Sequence, residues 1–549
     1  MAKYFLINNR SIASVYGIGT YTEQLTECLQ NTKLLYELSF IDINTDIKEF
    51  TVSTDKYGLL HYNIPSHKGN NYLSAYYRYI LYILSLYVKS DEEVVYHFNY
   101  CHHLELISLL KANYKHCRVF YTIHYLRWCF ILNGNLSRFR KIINKDAENE
   151  TEQIVQSEYV DCKHLLALSD KVIVLSKFTY DLILSEYNIT KEKVHLIHNG
   201  IKEVPSIPPN VGDVEGTIKE ILFVGRLDKV KGIEYLIKAF KIILTHLVNA
   251  KLILVGDGDF SRYMPLCDGI WNKVTFTGKI DKLQVERFYN HATIGILPSF
   301  NEQCSYSAIE MMAHGLPFIA TDSTGLREMM DFTPECLIHI NEENFEPDEF
   351  INQLAKRMEL LLSNSKLRKQ CSQQLQQLYR KRYTLDCMRN AMEKLLNSQW
   401  KAGNYLSKDF IHYLDREVIR LINSQPILDI DNIGLTGIGC YLWWRIKSLE
   451  ERSDAHRKWQ LQEYLVYYID WVSEVIDLMR KEAFLIEPGM ASLLWLLNEL
   501  KIAGFYPTKV EQVCKQVTAF GINMVGIRTK SREEIDILQT MLKIYNLQL

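Results

Sequence analysis

Two glutamates flank a potential helix start in the stretch PSFNEQCSYSAIEMMAHGLPFIATDSTG, residues 298–325. Glu302 and Glu310 are eight residues apart, and Ser305 or Ser307 between them can cap a helix. A helix that starts there turns unpaired N–H groups and a positive dipole outward, which suits a diphosphate. The two carboxylates can accept hydrogen bonds from hydroxyl groups on separate parts of one elongated ligand. Taken alone, the same pair also fits an exposed, capped surface helix.

Two cations follow the end of another apolar run. Arg226 comes directly after Gly225, which closes the run EILFVG, and Lys231 stands five residues further on. Arginine offers a bidentate fork to phosphate, and lysine offers a compact charge. At the carboxyl end of a strand, the two together can neutralise a diphosphate leaving group. A surface loop with two basic residues is the alternative.

A glycine turn and a histidine follow two further strand-like runs. Gly17 and Gly19 stand between the first apolar run and a helical stretch, where glycine lets the backbone approach a ligand closely. Thr22 replaces the third glycine of a dinucleotide fingerprint, and a plain tight turn fits equally well. His124 follows the run RVFYTI, and a single histidine is more often structural than catalytic.

In this order, these segments resemble glycosyltransferase family 4, the retaining, sugar-nucleotide-dependent enzymes of the GT-B fold. Glu302-x7-Glu310 is similar to the family's E-x7-E motif, and GRLDKVKG at 225–232 resembles its G-R-L-x-x-x-K-G segment. YGIG at 16–19 resembles its G-G-x-G turn, with Tyr16 in place of the first glycine. Gln303 and Ser305 stand where the family usually has Gly and then Gly or Pro. Shorter matches at 176, 199–200, 255–258 and 324–328 extend the likeness over about residues 1–395.

The resemblance implies a role for each of these positions. Glu302 would face the hydroxyls of the donor sugar, Glu310 would hold the ribose, and His124 would hydrogen-bond the sugar rather than act as a nucleophile. The backbone from 304 to 306 would approach the β-phosphate. The implied catalytic residues are Arg226, Lys231, Glu302 and His124. The implied donor- and nucleotide-binding residues are Gly17, Gly19, Gly225, Cys304, Ser305, Tyr306 and Glu310.

Strand-like and helical runs alternate twice along the chain, which predicts an α/β protein with two doubly wound parallel sheets. The stretch 203–216 holds three prolines and two glycines and is typical of a linker. We expect a Rossmann-like acceptor domain at 1–202, a linker at 203–216, and a Rossmann-like donor domain at 217–400. Two such domains face each other across a cleft in the GT-B fold, and a ligand between them would lie at strand carboxyl ends. Residues 401–549 lose the strand signal and predict an all-helical appendage.

Composition excludes several classes of protein. The 63 basic and 65 acidic residues give a net charge of −2, which argues against a nucleic-acid binder. The twelve cysteines form no C-x-x-C pair, and we expect reduced thiols in a cytoplasm. Asp257-x-Asp259 and its counterpart at 429–431 fit a metal-binding string, but such strings often arise by chance and Asp257 is better explained as a turn residue, so no metal site is predicted.

One segment resembles a membrane span in composition. Tyr72–Val88 is apolar and aromatic, but it is short for a span and contains Arg78. A buried or partly interfacial helix is favoured, and its tyrosine-rich face leaves open a peripheral contact at the inner face of the membrane.

The helical appendage gives a weaker signal. The run GLTGIG at 434–439 faintly resembles a repeat of lanthionine-cyclase-like helical toroids, but Cys440 and Cys514 lack the context of their zinc ligands. Small residues that let helices pack closely are the alternative. Together with the segment QCSY at 303–306, the run suggests the glycosyltransferases found beside double-glycine-leader peptides.

The prediction is therefore a metal-independent, hexosyltransferase-type enzyme that moves a sugar, with retention, from a nucleotide-sugar to an unidentified hydroxyl acceptor. The acceptor class (glycan, lipid or peptide) and the base of the nucleotide stay open. No cofactor is expected beyond this co-substrate. Two alternatives remain: a sugar-nucleotide epimerase or phosphorylase on the GT-B fold, and an inactive sugar-nucleotide-binding scaffold that recruits a peptide partner.

Overall fold

The computed structural model describes most of the chain, with gaps. The described residues are 2–9, 17–32, 36–66, 73–89, 92–100, 103–114, 116–204, 218–330, 333–341, 344–397, 439, 442–443, 445–447, 449, 455–475 and 488–525. Most of the predicted linker, Tyr16, the second D-x-D string, Cys440 and all of GLTGIG but its last glycine lie outside them.

The first domain is an eight-stranded sheet flanked by helices. Its strand order is β3-β4-β2-β1-β5-β6-β7-β8, and every pair is parallel except β3 with β4. The strands are β1 (Ala2–Asn9), β2 (Tyr36–Thr45), β3 (Thr51–Thr54), β4 (Leu60–Pro65), β5 (Glu93–Phe98), β6 (His116–Ile123), β7 (Lys171–Val174) and β8 (Val194–Leu196). The helices are α1 (Gly17–Gln30), α2 (Leu73–Ser85), α3 (Leu104–Asn113), α4 (Arg127–Ile131), α5 (Leu136–Ile143), α6 (Glu150–Leu168) and α7 (Lys177–Ser185).

The second domain is a six-stranded, fully parallel sheet with the order β11-β10-β9-β12-β13-β14. The strands are β9 (Lys219–Val224), β10 (Ala250–Val255), β11 (Val274–Gly278), β12 (Ile294–Leu297), β13 (Phe318–Thr321) and β14 (Leu337–Ile338). The helices are α8 (Ile233–Leu244), α9 (Lys282–His291), α10 (Tyr306–Ala313), α11 (Thr324–Met330), α12 (Pro347–Ser363), α13 (Ser365–Leu378) and α14 (Leu385–Asn397). The two doubly wound sheets confirm the predicted fold class.

The predicted strands owe their clear signal to burial on both faces. Tyr4, Phe5, Leu6 and Ile7 of β1 are each at most 1% exposed, because helices cover both sides of a parallel sheet. Such strands read as unbroken apolar runs in the sequence. Strands β2, β3, β4 and β14 were not predicted, since their runs are short or interrupted by polar residues.

Each sheet has a point where the strand order reverses. In the first sheet the order runs in opposite directions from β1 and β5, and in the second from β9 and β12. Loops that leave neighbouring strands in opposite directions open a crevice at the carboxyl ends of those strands. The loops that follow β1, β5, β9 and β12 therefore border the two crevices.

The last helix of the second domain returns to the first. Leu385 at the start of α14 donates its N–H to the carbonyl of Ile201 at 2.8 Å, and α14 packs against α1. Met388 and Met392 share one hydrophobic cluster with Leu25 and Cys28 of α1. Residues 385–397 thus attach the second domain to the first.

The C-terminal region is helical in its described parts: α15 (Ala455–Val475), α16 (Pro488–Ile502) and α17 (Pro507–Val525). Gly439, the last glycine of GLTGIG, packs so closely that a Cβ there would lie 2.3 Å from Tyr468 and 2.6 Å from Leu496. A small residue is required at that position for helix packing, which is the second of the two interpretations drawn from the sequence.

Helix α2, the segment that resembled a membrane span, packs between the first domain and this helical region. Tyr76 and Tyr77 are 2% exposed in the core of the first domain, and Ile83 lies in the cluster built by α15, α16 and α17. None of the described helices is both long and apolar enough to cross a bilayer. Contact of this segment with a membrane surface stays a prediction.

Truncation of Ile83 tests this packing. Ile83→Ala removes buried methyl groups where α2 meets α16, and such changes typically cost about 2–5 kcal/mol in the free energy of unfolding. We expect faster hydrogen exchange of the α16 amides, measured by mass spectrometry. Leu86→Ala is the matched control, since Leu86 is 41% exposed one turn further on. Equal exchange in the two variants would contradict the packing described.

Candidate functional site

A lysine and a glutamate meet where the second sheet reverses its strand order. Lys231 donates from Nζ to Oε1 of Glu302 at 2.5 Å, although the two are 71 residues apart in the chain. Ser299 donates to the same oxygen at 3.2 Å. The Lys231 and Glu302 side chains are 20% and 14% exposed, so the pair borders the crevice rather than bulk solvent. The sequence indicated both residues for the site but did not predict that they pair.

Arg226 occupies the rim of the same crevice. Its Nε and Nη2 lie 2.7 and 2.6 Å from Oδ2 of Asp228, and its side chain is 42% exposed. The guanidinium is thereby fixed in direction just past the carboxyl end of β9, close to Gly225. Among the four predicted catalytic residues, Lys231 pairs with Glu302, whereas Arg226 bonds to Asp228 and His124 to Asn99.

The start of α10 is built as the sequence predicts. Ser305 is the N-cap, and its hydroxyl accepts the N–H of Ala308 at 3.4 Å. Just before the cap, the Cys304 carbonyl accepts from Nδ2 of Asn199 at 2.7 Å. Burial raises the pKa of the Cys304 thiol, so this side chain is a neutral packing group.

The loop 302–305 also approaches α11 very closely. Gly325 donates its N–H to the Glu302 carbonyl at 2.7 Å, and Thr324 accepts the Glu302 N–H at 2.9 Å. A Cβ on Gly325 would lie 1.7 Å from the Gln303 carbonyl, so only glycine fits there. The segment 324–328, one of the shorter matches to the family, thus holds the loop that follows β12.

Gln303 joins the two domains. Its Oε1 accepts hydrogen bonds from the Ser176 and Thr179 hydroxyls at the start of α7, and its side chain is 5% exposed. Glu328 makes a second contact between the domains, because its carboxylate accepts the Lys177 N–H at 2.8 Å. The sequence indicated Gln303 only as a departure from the family pattern, and its partners are too distant along the chain to be read from spacing.

Glu310 lies on α10 beside a cavity between the domains. Its Oε2 accepts from the Tyr289 hydroxyl at 2.7 Å, and burial raises its pKa above the ordinary value for glutamate. The cavity has a volume of about 1110 Å³ and is lined by Glu310, Gly19, Lys282 and His314 among others. Gly19 of the first domain and Glu310 of the second therefore face the same space, which is large enough for a nucleoside.

His124 stands at the carboxyl end of β6 with its ring edge-on to Tyr21, 4.5 Å between centroids. Its Nε2 lies 3.1 Å from Oδ1 of Asn99. Burial lowers its pKa to about 3, so the imidazole is neutral at physiological pH. A neutral, hydrogen-bonded ring suits contact with a polar ligand and does not supply a positive charge.

Tyr306 is the remaining predicted position, and it contributes more than its backbone. Its hydroxyl is buried without a hydrogen-bond partner, and burial raises its pKa. Tyr21 and Cys28 on α1 lie near enough to raise this pKa further, so the ring lies close to the first domain. Tyr306 thus packs at the interface of the two domains at the first position of α10.

The first D-x-D string serves local turns. Asp257 Oδ1 accepts the N–H of Gly258 at 2.8 Å, and Asp259 accepts that of Ser261 at 3.1 Å. Within the part of the chain that the structure describes, no group of three or more His, Cys, Asp and Glu side chains is arranged to hold a metal ion. Independence from metal stays a prediction.

Comparisons with known proteins match glycosyltransferase families to both halves of the chain. A family model described as Glycosyltransferase Family 4 matches residues 15–203, and one described as Glycosyl transferases group 1 matches residues 218–364. An uncharacterised glycosyltransferase of Methanocaldococcus jannaschii is 32% identical over 249 residues, which cover 42% of this chain and 59% of that protein. The chain thus spans little more than half the length of this curated relative.

Solved structures share the fold at low sequence identity. A sucrose-phosphate synthase from Thermosynechococcus elongatus superposes with a TM-score of 0.57 at 19% identity, covering 72% of this chain and 98% of that one. Anabaena HepE, solved in complex with UDP and glucose, superposes with a TM-score of 0.52 at 12% identity, covering 73% and 100%. Since the two family models together match more than half of its residues, the chain belongs to the family 4, group 1 glycosyltransferases and has their GT-B fold.

Proposed function

We propose that this protein transfers a sugar from a nucleotide-sugar donor to a hydroxyl acceptor, with retention of configuration at the anomeric carbon. The observation that carries the proposal is the Lys231–Glu302 pair beside the capped start of α10. A cation, a carboxylate and the N-terminus of a helix then lie within one crevice. Those are the groups that a sugar diphosphate needs: positive charge for the phosphates and an acceptor for the hydroxyls.

The donor would lie along α10. Its ribose would hydrogen-bond Glu310 in the cavity between the domains, and its diphosphate would lie between Arg226, Lys231 and the N–H groups at the helix start. In the absence of ligand, Lys231 pairs with Glu302, so both would exchange that bond for contacts with the donor. Glu302 would then be available to the sugar hydroxyls.

The chemistry would be stabilisation of a leaving group. The bond from the anomeric carbon to the β-phosphate oxygen breaks, the acceptor oxygen bonds to the same face of that carbon, and its proton passes to the departing phosphate. Arg226 and Lys231 would stabilise the charge that develops on this phosphate. Neutral His124 would orient the sugar by a hydrogen bond. No cofactor, metal ion or side-chain nucleophile enters this scheme.

The acceptor would enter from the first domain, near Gly17 and Gly19. Both stand at the start of α1, and Gly19 lines the cavity that also holds Glu310. An acceptor hydroxyl on that side would face the donor across the crevice. Its class, whether glycan, lipid or peptide, is left to experiment.

A thermal-shift screen tests the donor site. Ligands that bind only the folded state raise the melting temperature, by an amount set by concentration and affinity. We expect a rise with one class among UDP-, GDP- and ADP-sugars, equal with and without chelator, and reduced in Lys231→Met. Lys229→Met is the control, since Lys229 is exposed two residues away. Absence of a shift with every donor would contradict the proposal, and loss of the shift with chelator would contradict independence from metal.

Removal of the arginine tests leaving-group stabilisation. Arg226→Ala should lower kcat about 10²–10³-fold, as loss of one preorganised charge-stabilising donor typically does, while the donor Kd changes much less. Steady-state kinetics combined with calorimetric binding would separate the two constants. An unchanged kcat would overturn the role of Arg226.

Substitution of Glu310 tests the buried carboxylate. Because burial raises its pKa, the folded chain holds the proton more tightly than the unfolded chain, and the ionised form costs folding free energy. Glu310→Gln should therefore raise the free energy of unfolding at neutral pH, and this gain should fall as pH drops toward the ordinary glutamate range. The same change should weaken nucleotide binding.

Denaturant titrations at several pH values, with calorimetry of nucleotide binding, would measure both effects. Glu359→Gln on the exposed face of α12, away from the cavity, is the control. A Glu310→Gln variant that is destabilised at neutral pH would contradict the assignment of a desolvated carboxylate.

A further inference from the structure

Asn99 and His124 follow neighbouring parallel strands, β5 and β6, at the same edge of the first sheet. Asn99 is 2% exposed, and its Oδ1 lies 3.1 Å from Nε2 of His124. Nothing in the sequence pattern joins these two residues, which are 25 positions apart. The contact forms because the parallel register of β5 and β6 brings the carboxyl ends of the two strands side by side.

The contact determines where the histidine carries its proton. A neutral imidazole has one N–H, and the amide oxygen of asparagine can only accept. Since Oδ1 faces Nε2, the proton belongs on Nε2, and Nδ1 keeps its lone pair. His124 is only partly buried at the carboxyl end of β6, so a ligand in the crevice can reach the residue.

We propose that Asn99 is a positioning residue that holds His124 as the Nε2–H tautomer, so that Nδ1 accepts a hydrogen bond from a hydroxyl of the donor sugar. This inference rests on the proposed function. Nδ1 as an acceptor selects a group that can donate a proton, such as a sugar hydroxyl, over an ether or carbonyl oxygen. A histidine that could change tautomer would bind either kind of group, because the same ring nitrogen could then donate or accept.

The groups around His124 favour a single neutral state. Tyr21 on α1 presents its ring edge, and its hydroxyl lies 3.1 Å from Thr122 Oγ1. His97 on β5 is itself neutral and bound on both sides, by the Tyr4 hydroxyl at 2.8 Å and Thr122 at 2.7 Å. Asn99 contributes no charge. These neighbours supply no carboxylate that would protonate the ring.

Substitution by aspartate changes this state without changing the shape of the side chain. In Asn99→Asp a carboxylate faces Nε2, which favours the imidazolium and raises the pKa of His124. Below that pKa, Nδ1 carries a proton and can only donate, so the sugar hydroxyl loses the acceptor for its own proton that the wild type provides. We expect the donor KM to rise about three- to tenfold at neutral pH, the effect of one hydrogen bond, and to recover as pH increases. The donor KM of the wild-type protein should not change with pH in this way.

Nitrogen-15 NMR of histidine-labelled full-length protein measures the tautomer directly, with His124→Gln used to assign the signal. The proposal expects a protonated Nε2 and an unprotonated Nδ1 in the wild type, and a higher His124 pKa in Asn99→Asp. Tyr77→Phe is the matched control: it removes the partner of another buried histidine, His103, at 3.0 Å in the same domain. It should leave the His124 signals and the donor KM unchanged.

A proton on Nδ1 in the wild type, or an unchanged His124 pKa in Asn99→Asp, would overturn the role of Asn99. So would a pH-independent KM in a variant whose His124 pKa has risen. Because the NMR measurement needs no substrate, it decides the tautomer even if no sugar transfer is detected, an outcome that would count against the proposed function instead.

Discussion

The loop 302–305 is attached to both domains at once, and the rest of the site depends on that attachment. On one side, Gly325 comes so near that its N–H binds the Glu302 carbonyl and a side chain would not fit. On the other side, Ser176 of the first domain binds the Gln303 amide, and Asn199 binds the Cys304 carbonyl. The loop that begins α10 therefore cannot shift without disturbing the contact between the domains.

Burial determines which of the groups that border the cleft are charged. It lowers the pKa of His124 to about 3 and raises the pKa of Glu310, so in both cases it favours the neutral form. The charged members, Lys231 with Glu302 and Arg226 with Asp228, are instead neutralised in pairs. The ionised side chains thus lie where a diphosphate would bind, and the flanking neutral groups offer hydrogen bonds.

Most of the scaffold could be predicted from the sequence, because strands such as β1 are buried on both faces and leave unbroken apolar runs. Strand β2 was missed, since Glu37 and Asp42 interrupt its apolar residues. The site residues could be found by spacing when they lie in one segment, as Glu302 and Glu310 do. The Gln303 and Asn99 contacts could not, because they depend on register and on the approach of the two domains.

The most direct measurement is to follow a nucleotide-sugar by phosphorus and proton NMR during incubation with the protein and a mixture of candidate hydroxyl acceptors. The account predicts release of the nucleoside diphosphate, with the sugar transferred in the anomeric configuration of the donor. Formation of a sugar 1-phosphate or of an isomeric nucleotide-sugar would contradict it, and so would a donor that binds but is never consumed.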